Sequence, residues 1–342
     1  MLWATMPQPA SETAVVLAGG VAKGAFEAGA LDVLAEAGVD ISQVVGASSG
    51  ALNAALLASG IRAGRVRDAT QRLMELWRDD ASWMQVFHFS LHDIVTRTGV
   101  SDSREILALL RREVPRIATA AVNPVRLRIV VAALRGVAGA IGDTQATTFE
   151  GVCSFADGDF DDEARREALY VAATASAAFP LLFHPVDVPP LGPCYDGGAV
   201  NNTPIQLAAA DGLARVIVIS PYPAVLGPPP SLEGIELLSR LIDILIQERV
   251  YRDLKMADAA NATVARLAAL TRAGTLDAAQ LDVVMQTLSL RPLSIIPIRP
   301  DRELSGNAFA GFLHRSLRDE YIRAGQAAAR SRLANILQQP PA

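Results

Sequence analysis

The chain has 342 residues, 51% hydrophobic and 20% charged, with a net charge of −5. That length can bury a sizeable core, as one large α/β domain or two small ones, and the acidic balance argues against nucleic acid and against a strong electrostatic grip on anionic membranes. The two cysteines, Cys153 and Cys194, supply neither a disulfide framework nor a metal cluster and suit a reducing compartment.

Residues 1–11 contain Trp3, Pro7 and Pro9 but no basic start and no apolar run, which predicts a short flexible tail and not a secretion signal. No stretch is apolar for long enough to span a bilayer, so the expected location is cytoplasmic, peripheral membrane contact remaining open. Residues 15–60 then read as two consecutive strand–turn–helix units. The first runs from Val15-Val16-Leu17 through Gly19-Gly20-Val21-Ala22-Lys23-Gly24 into a helix ending near Gly38. The second runs from Val44-Val45 through Gly46-Ala47-Ser48-Ser49-Gly50 into a small-residue helix ending near Gly60. Two such units imply parallel neighbouring strands with both turns at one carboxyl edge of the sheet.

Gly46-x-Ser48-x-Gly50 between a β-branched pair and a helix has the context of a nucleophile elbow. The sharp turn excludes Cβ atoms at Gly46 and Gly50, and the helix start beneath Ser48 favours developing negative charge. The turn at Gly19 fits a dinucleotide fingerprint poorly, because no carboxylate closes the next strand. It also fits a phosphate loop poorly, because Lys23 precedes Gly24 and Ala25 follows. An oxyanion hole of successive backbone amides fits better; a tight turn without a ligand is the plain alternative.

Further along, a helical pattern covers 62–79, and an aromatic-rich segment follows at 83–89. The apolar residues of that segment pack a core or line an acyl channel. His88 and His92 are spaced like helical metal ligands but lack a third ligand. Asp102 and Glu105 form a capping box for a helix reaching Arg112. Strands are predicted at 126–131 and 147–155, with an acidic turn at 157–162 that lacks the spacing of a calcium loop. A helix from Glu163 ends in Ala175-Ser176-Ala177-Ala178-Phe179-Pro180. A proline-rich β segment leads to Asp196-Gly197-Gly198, which taken alone reads as a hairpin turn. A strand at 216–220 and a proline linker at 221–230 precede helices at 232–269 and 276–288, a strand at 294–298 and a last helix at 310–337. The segment 232–250 is interrupted by Glu236, Arg240, Asp243 and Glu248; its amphipathic face suits packing on the rest of the chain, membrane docking or an oligomer contact.

Ser48 needs a proton acceptor. The order Ser48, Asp196, His314 formally permits a triad, but His314 sits in ordinary amphipathic helix with no loop to aim it. A carboxylate is the better candidate, and Asp196, pinned between Tyr195 and two glycines, is the best placed. Together, Gly19–Gly24, Gly46–Gly50 and Asp196-Gly197-Gly198 resemble the patatin-like phospholipase family. Ala175–Pro180 resembles a fourth family segment, and Asn202-Thr203-Pro204 fits what commonly follows the third. The resemblance covers roughly residues 12–222.

That resemblance implies a three-layer α/β/α sandwich on a mostly parallel sheet and a Ser–Asp dyad without histidine. By it Ser48 is the nucleophile and Asp196 the general base, and the Gly19, Gly20 and Val21 amides, with that of Ser49, form the oxyanion hole. Gly24, Gly46, Gly50, Gly197 and Gly198 support the motifs. Lys23 either meets a phosphate or braces the loop. The family's turn usually has glycine where this chain has Val21; the amide survives, but a β-branched residue at positive φ is strained. The expected organisation is a tail (1–11), a catalytic domain (12–222) and a mainly helical C-terminal region with one strand packing on it (223–342). The expected activity is hydrolysis of phospholipid or lysophospholipid esters without metal or organic cofactor. A general carboxylesterase or thioesterase, or a non-catalytic lipid- or protein-binding module, are the alternatives. A carboxylate of ordinary pKa is a weak base near neutral pH, so turnover should be slow unless burial raises it.

Overall fold

A computed structural model describes residues 13–82, 99–101, 103–117, 121–141, 144–209, 213, 215–228, 231–288, 290 and 293–338. The tail, the aromatic-rich segment with His88 and His92, and the capping residue Asp102 lie outside the described residues. The opening half contains β1 (Thr13–Leu17), α1 (Ala25–Glu36), β2 (Ile41–Ala47), α2 (Ser49–Arg62) and α3 (Val66–Glu75), then a π-helical turn over Leu76–Asp80. After it come β3 (Gly99–Ser101), α4 (Arg104–Ile117), β4 (Arg126–Ile141), β5 (Thr144–Phe155) and α5 (Glu163–Ser176). Next are β6 (Leu181–Phe183), β7 (Val186–Val188), β8 (Gly192–Asp196), α6 (Gly198–Asn201), α7 (Ile205–Ala209) and β9 (Arg215–Ile219). The last part holds α8 (Gly234–Arg272), α9 (Ala278–Thr287), β10 (Ser294–Ile298), α10 (Ala310–Leu313) and α11 (Arg315–Gln338).

The main sheet runs β10-β9-β1-β2-β4-β8-β7, with β5 on the other edge of β4. Strands β10, β9, β1, β2 and β4 are parallel, whereas β5, β7 and β8 are antiparallel to their neighbours. This is an α/β fold on a mostly parallel sheet, as expected from the alternation of short apolar strands with helices. The central strands are apolar on both faces because both are covered. Val15 and Leu17 enter the larger core with α1 and α2, and Ala14 and Val16 enter a second core with Ile205, Ala208 and Val218. Strand β10, from beyond the proline segment, joins the same sheet beside β9.

Several elements differ from the sequence expectation. The helix predicted over 62–79 starts later, at Val66, because α2 runs on to Arg62 and Gly64 turns the chain at φ 66°; α3 then continues into the π-helical turn ending at Asp80. β4 and β5 continue as a long hairpin to the pair Ile141↔Thr144, through a glycine- and alanine-rich stretch with no apolar alternation to announce it. The carboxylates of the acidic turn are used internally. Asp157 accepts from the Val125 amide, Asp162 caps α5, and Asp159 and Asp161 pair with Arg165 and Arg62. The long α8 buries Ile242, Ile246 and Val250 and exposes Leu237, Leu241 and Ile244. Among the described residues no helix is long and apolar enough to cross a membrane.

Helix α11 docks on α1 through two glycines. A Cβ at Gly29 would strike the backbone of Ile322, and one at Gly325 would strike the Phe26 carbonyl. Backbone cannot yield as a flexible side chain can. Gly325→Ala should therefore lower stability by about 1–3 kcal/mol in urea unfolding. Gly158→Ala, where a Cβ meets nothing within 4 Å, should stay within about 0.5 kcal/mol of wild type.

Candidate active site

Strands β1 and β2 pair with Leu17 opposite Gly46, so the turn after β1 and the residue after β2 emerge side by side at the carboxyl edge. Ser48 occupies φ 55°, ψ −134°, a region that non-glycine residues seldom occupy and that serves here to lift its side chain off the strand. The glycines around it are fixed by contact. A Cβ on Gly46 would lie 2.6 Å from the Gly50 carbonyl, and one on Gly50 would strike Leu17 O, closing the approach of α2 to β1. A Cβ on Gly19 would lie 2.9 Å from Ser48 Oγ.

Strand β8 brings in the carboxylate. It pairs antiparallel with β4, Asp196 standing opposite Val131 at the same sheet edge. The Asp-Gly-Gly tripeptide is not a hairpin turn. Asp196 ends the strand, Gly197 presses on the Val130 carbonyl where no Cβ fits, and α6 begins at Gly198. Ser48 Oγ donates to Asp196 Oδ2 at 2.7 Å, and the Gly198 amide donates to Oδ1 at 2.7 Å. Ser48 is 6% and Asp196 3% exposed. Burial pushes the Asp196 carboxyl up to about 7, outweighing the two hydrogen bonds that favour its anion.

Two residues that sequence reasoning left without a role hold this pair in place. Ser176, at the end of α5, accepts from the Ser48 amide at 2.9 Å and donates to the Val130 carbonyl at 2.6 Å, tying the elbow to β4. Asn202 donates from Nδ2 to the Gly19 carbonyl at 3.0 Å. Their neighbourhoods, a small-residue helix end before Pro180 and the segment after Asp-Gly-Gly, were the available signals.

The amides expected to hold an oxyanion have different surroundings. The Gly20 amide donates to Ser49 Oγ at 3.1 Å, so with Asn202 on the preceding carbonyl that peptide is engaged at both ends. The amides of Gly19, Val21 and Ser49 remain. Val21 has φ 54°, the strained conformation its position requires, and the next amide, that of Ala22, is anchored on the Ala308 carbonyl at 3.2 Å. Lys23 is 7% exposed, its Nζ lies 5.5 Å from the centre of the Tyr222 ring, and Asp243, Glu303 and Glu236 partly offset the burial that lowers its pKa.

A cavity of about 110 Å³ opens onto Ser48 and Asp196. Its walls are almost wholly apolar, including Leu52, Leu56, Trp77, Phe179 and Phe312. Asn53, one of the polar residues in the wall with Ser49 and Asp80, has its groups engaged. Nδ2 donates to Gly24 O and to the fully buried Glu27, and Oδ1 accepts from Trp77 Nε1 at 2.7 Å. Burial raises the Glu27 carboxyl well above the usual carboxylate range. His314 is exposed at the break between α10 and α11 and does not line the cavity. Among the described residues no group of three or more His, Cys, Asp or Glu is placed to hold a metal ion.

A family model described as patatin-like phospholipase matches residues 15–209. Among solved structures, the crystal structure of VipD from Legionella pneumophila is similar over 95% of this chain and 67% of that chain, at 14% identity and a TM-score of 0.40. No curated protein sequence matches the chain.

Ser176→Ala strands the buried Ser48 amide and Val130 carbonyl together, and should cost about 1–3 kcal/mol of stability. At a temperature where the variant is still folded by circular dichroism, modification of Ser48 by a fluorophosphonate should also be slower than in the wild type.

Proposed function

The chain belongs to the patatin-like phospholipase family, a family of lipid acyl hydrolases, and from that premise we propose that it cleaves fatty-acyl esters of phospholipids or lysophospholipids through an acyl-Ser48 intermediate. The observation that carries this reading is the 2.7 Å hydrogen bond from Ser48 Oγ to a buried carboxylate beside an apolar cavity. Ser48 Oγ attacks the ester carbonyl as its proton passes to Asp196 Oδ2. The carbonyl oxygen becomes an alkoxide held by the Gly19, Val21 and Ser49 amides at the start of α2. Collapse of the tetrahedral adduct breaks the acyl C–O bond, and the Asp196 proton leaves with the alcohol. Water, giving its proton to the same carboxylate, then attacks the acyl-enzyme and releases the fatty acid. Each lost amide donor costs roughly 10²–10³ in rate.

A base with pKa about 7 is matched to neutral pH in a way that an exposed aspartate is not. The base acts deprotonated, so kcat/KM should rise with pH, with its midpoint about 7 and a plateau above. Asp196→Asn should lower kcat by roughly 10²–10⁴ and remove that limb. The raised pKa also means that folding favours neutral Asp196. Its stabilising contribution is full below the ordinary carboxylate range and is lost as pH rises through about 7. Asp196→Asn should accordingly melt higher than wild type above that pH.

A fluorophosphonate should label the wild type and not Ser48→Ala, and product analysis on mixed-chain phospholipids should show released fatty acid. Folded wild type that neither labels nor hydrolyses would instead favour a binding module whose hole is spoiled at Val21. Hydrolysis of nitrophenyl esters without intact phospholipids would favour a general esterase.

A further inference from the structure

Ser49 follows the nucleophile at the start of α2 and lines the cavity with it. The residue is 6% exposed, so its hydroxyl needs partners inside the protein or in whatever fills the cavity. One partner is present. The Gly20 amide donates to Ser49 Oγ at 3.1 Å, which uses a lone pair of the oxygen and leaves the hydroxyl proton unspent. Among the described residues no acceptor takes that proton. The oxygen is also confined on its protein side. A Cβ on Gly24 would lie 2.8 Å from Ser49 Oγ and 2.7 Å from the Trp77 ring, so these three groups stand in close contact. Trp77 is held in turn by its indole bond to Asn53 at 2.7 Å.

We propose that Ser49 is a second catalytic hydroxyl, whose O–H, turned into the cavity, donates to the oxyanion that forms when Ser48 attacks. The Gly20 amide then acts at one remove. It polarises the Ser49 hydroxyl, and a hydroxyl that accepts from a peptide N–H is the stronger donor for it. No proton is transferred at Ser49. The Ser48 proton passes to Asp196, and Ser49 keeps its own while the alkoxide stands beside it. A neutral ester carbonyl accepts this bond weakly and the alkoxide accepts it strongly, so its effect falls on the reacting step and not on substrate binding. The inference rests on the acyl-hydrolase reading for its reaction, and adds to it a donor that the backbone does not supply.

Ser49→Ala removes the donor and should lower kcat by roughly 10²–10³ with little change in KM. Rates are taken per active site titrated by a fluorophosphonate, so that loss of folded protein does not count. Ser49→Thr keeps a hydroxyl at the position and should recover a large part of the loss. A trifluoromethyl ketone, which forms a tetrahedral adduct with Ser48, should bind Ser49→Ala more weakly by the factor that kcat/KM loses. In a crystal structure of the protein phosphonylated at Ser48, the phosphonyl oxygen should stand about 2.7–3.1 Å from Ser49 Oγ. Wild-type kcat in Ser49→Ala overturns the assignment and leaves the acyl hydrolase standing. A phosphonyl oxygen bonded directly to the Gly20 amide, with Ser49 Oγ turned away, does the same. Wild-type protein that neither hydrolyses nor labels overturns the assignment together with the reading beneath it.

Discussion

A single hydrogen bond, from the Ser48 hydroxyl to the Asp196 carboxylate, sets what the rest of the molecule must do. Its partners are far apart in the chain, so only the sheet can bring them together. Strand β2 delivers the serine, β8 delivers the aspartate, and β4 lies against both and holds their relative height. Ser176 reinforces that arrangement from behind by bonding to the Ser48 amide and to β4 at once. Around the pair, glycines stand wherever a Cβ would push the turn, the helix or the strand aside.

Burial gives this hydrogen bond its chemical value. In water an aspartate is too weak a base to take a proton from an alcohol at neutral pH. Removed from water, its charged form becomes less favourable and its proton affinity rises. The same desolvation costs folding stability, so site and scaffold pull in opposite directions. The scaffold meets that cost with a sheet covered on both faces and helices packed closely on it. Two backbone strains, at Ser48 and Val21, are carried in the same way. Val21 is the costlier, since a β-branched side chain is held at positive φ, and its neighbour Ala22 is tethered to the loop before α10.

What could be read from the sequence was local. Val15–Leu17 and Val44-Val45, each followed by glycine and a small-residue helix, fixed the first two strands, the parallel pairing and the place of Ser48. Asp196 was reached through its two glycines and through resemblance to a family, not from spacing. The same tripeptide misled as local grammar, because Asp-Gly-Gly serves a strand-to-helix junction as readily as a hairpin. The hairpin extension of β4 and β5 was missed because glycine and alanine carry no alternation. The engagement of the Gly20 amide, the surroundings of Lys23 and the wall residues Trp77 and Phe312 depend on tertiary contacts, which no window of sequence contains.

Phe312 enters the cavity from a segment well beyond the region common to the family, and Ala308 from the same segment anchors the strained turn. The candidate site therefore takes one wall residue and one anchor from beyond the shared region. Insertions or losses between β9 and α10 can re-aim that wall while leaving Ser48 and Asp196 untouched. On the proposed reading, selection has there a lever on substrate choice that is separate from the Ser48–Asp196 pair. A transplant of the shared segment alone would carry Ser48, Asp196 and most of the cavity lining but leave out the wall that Phe312 supplies.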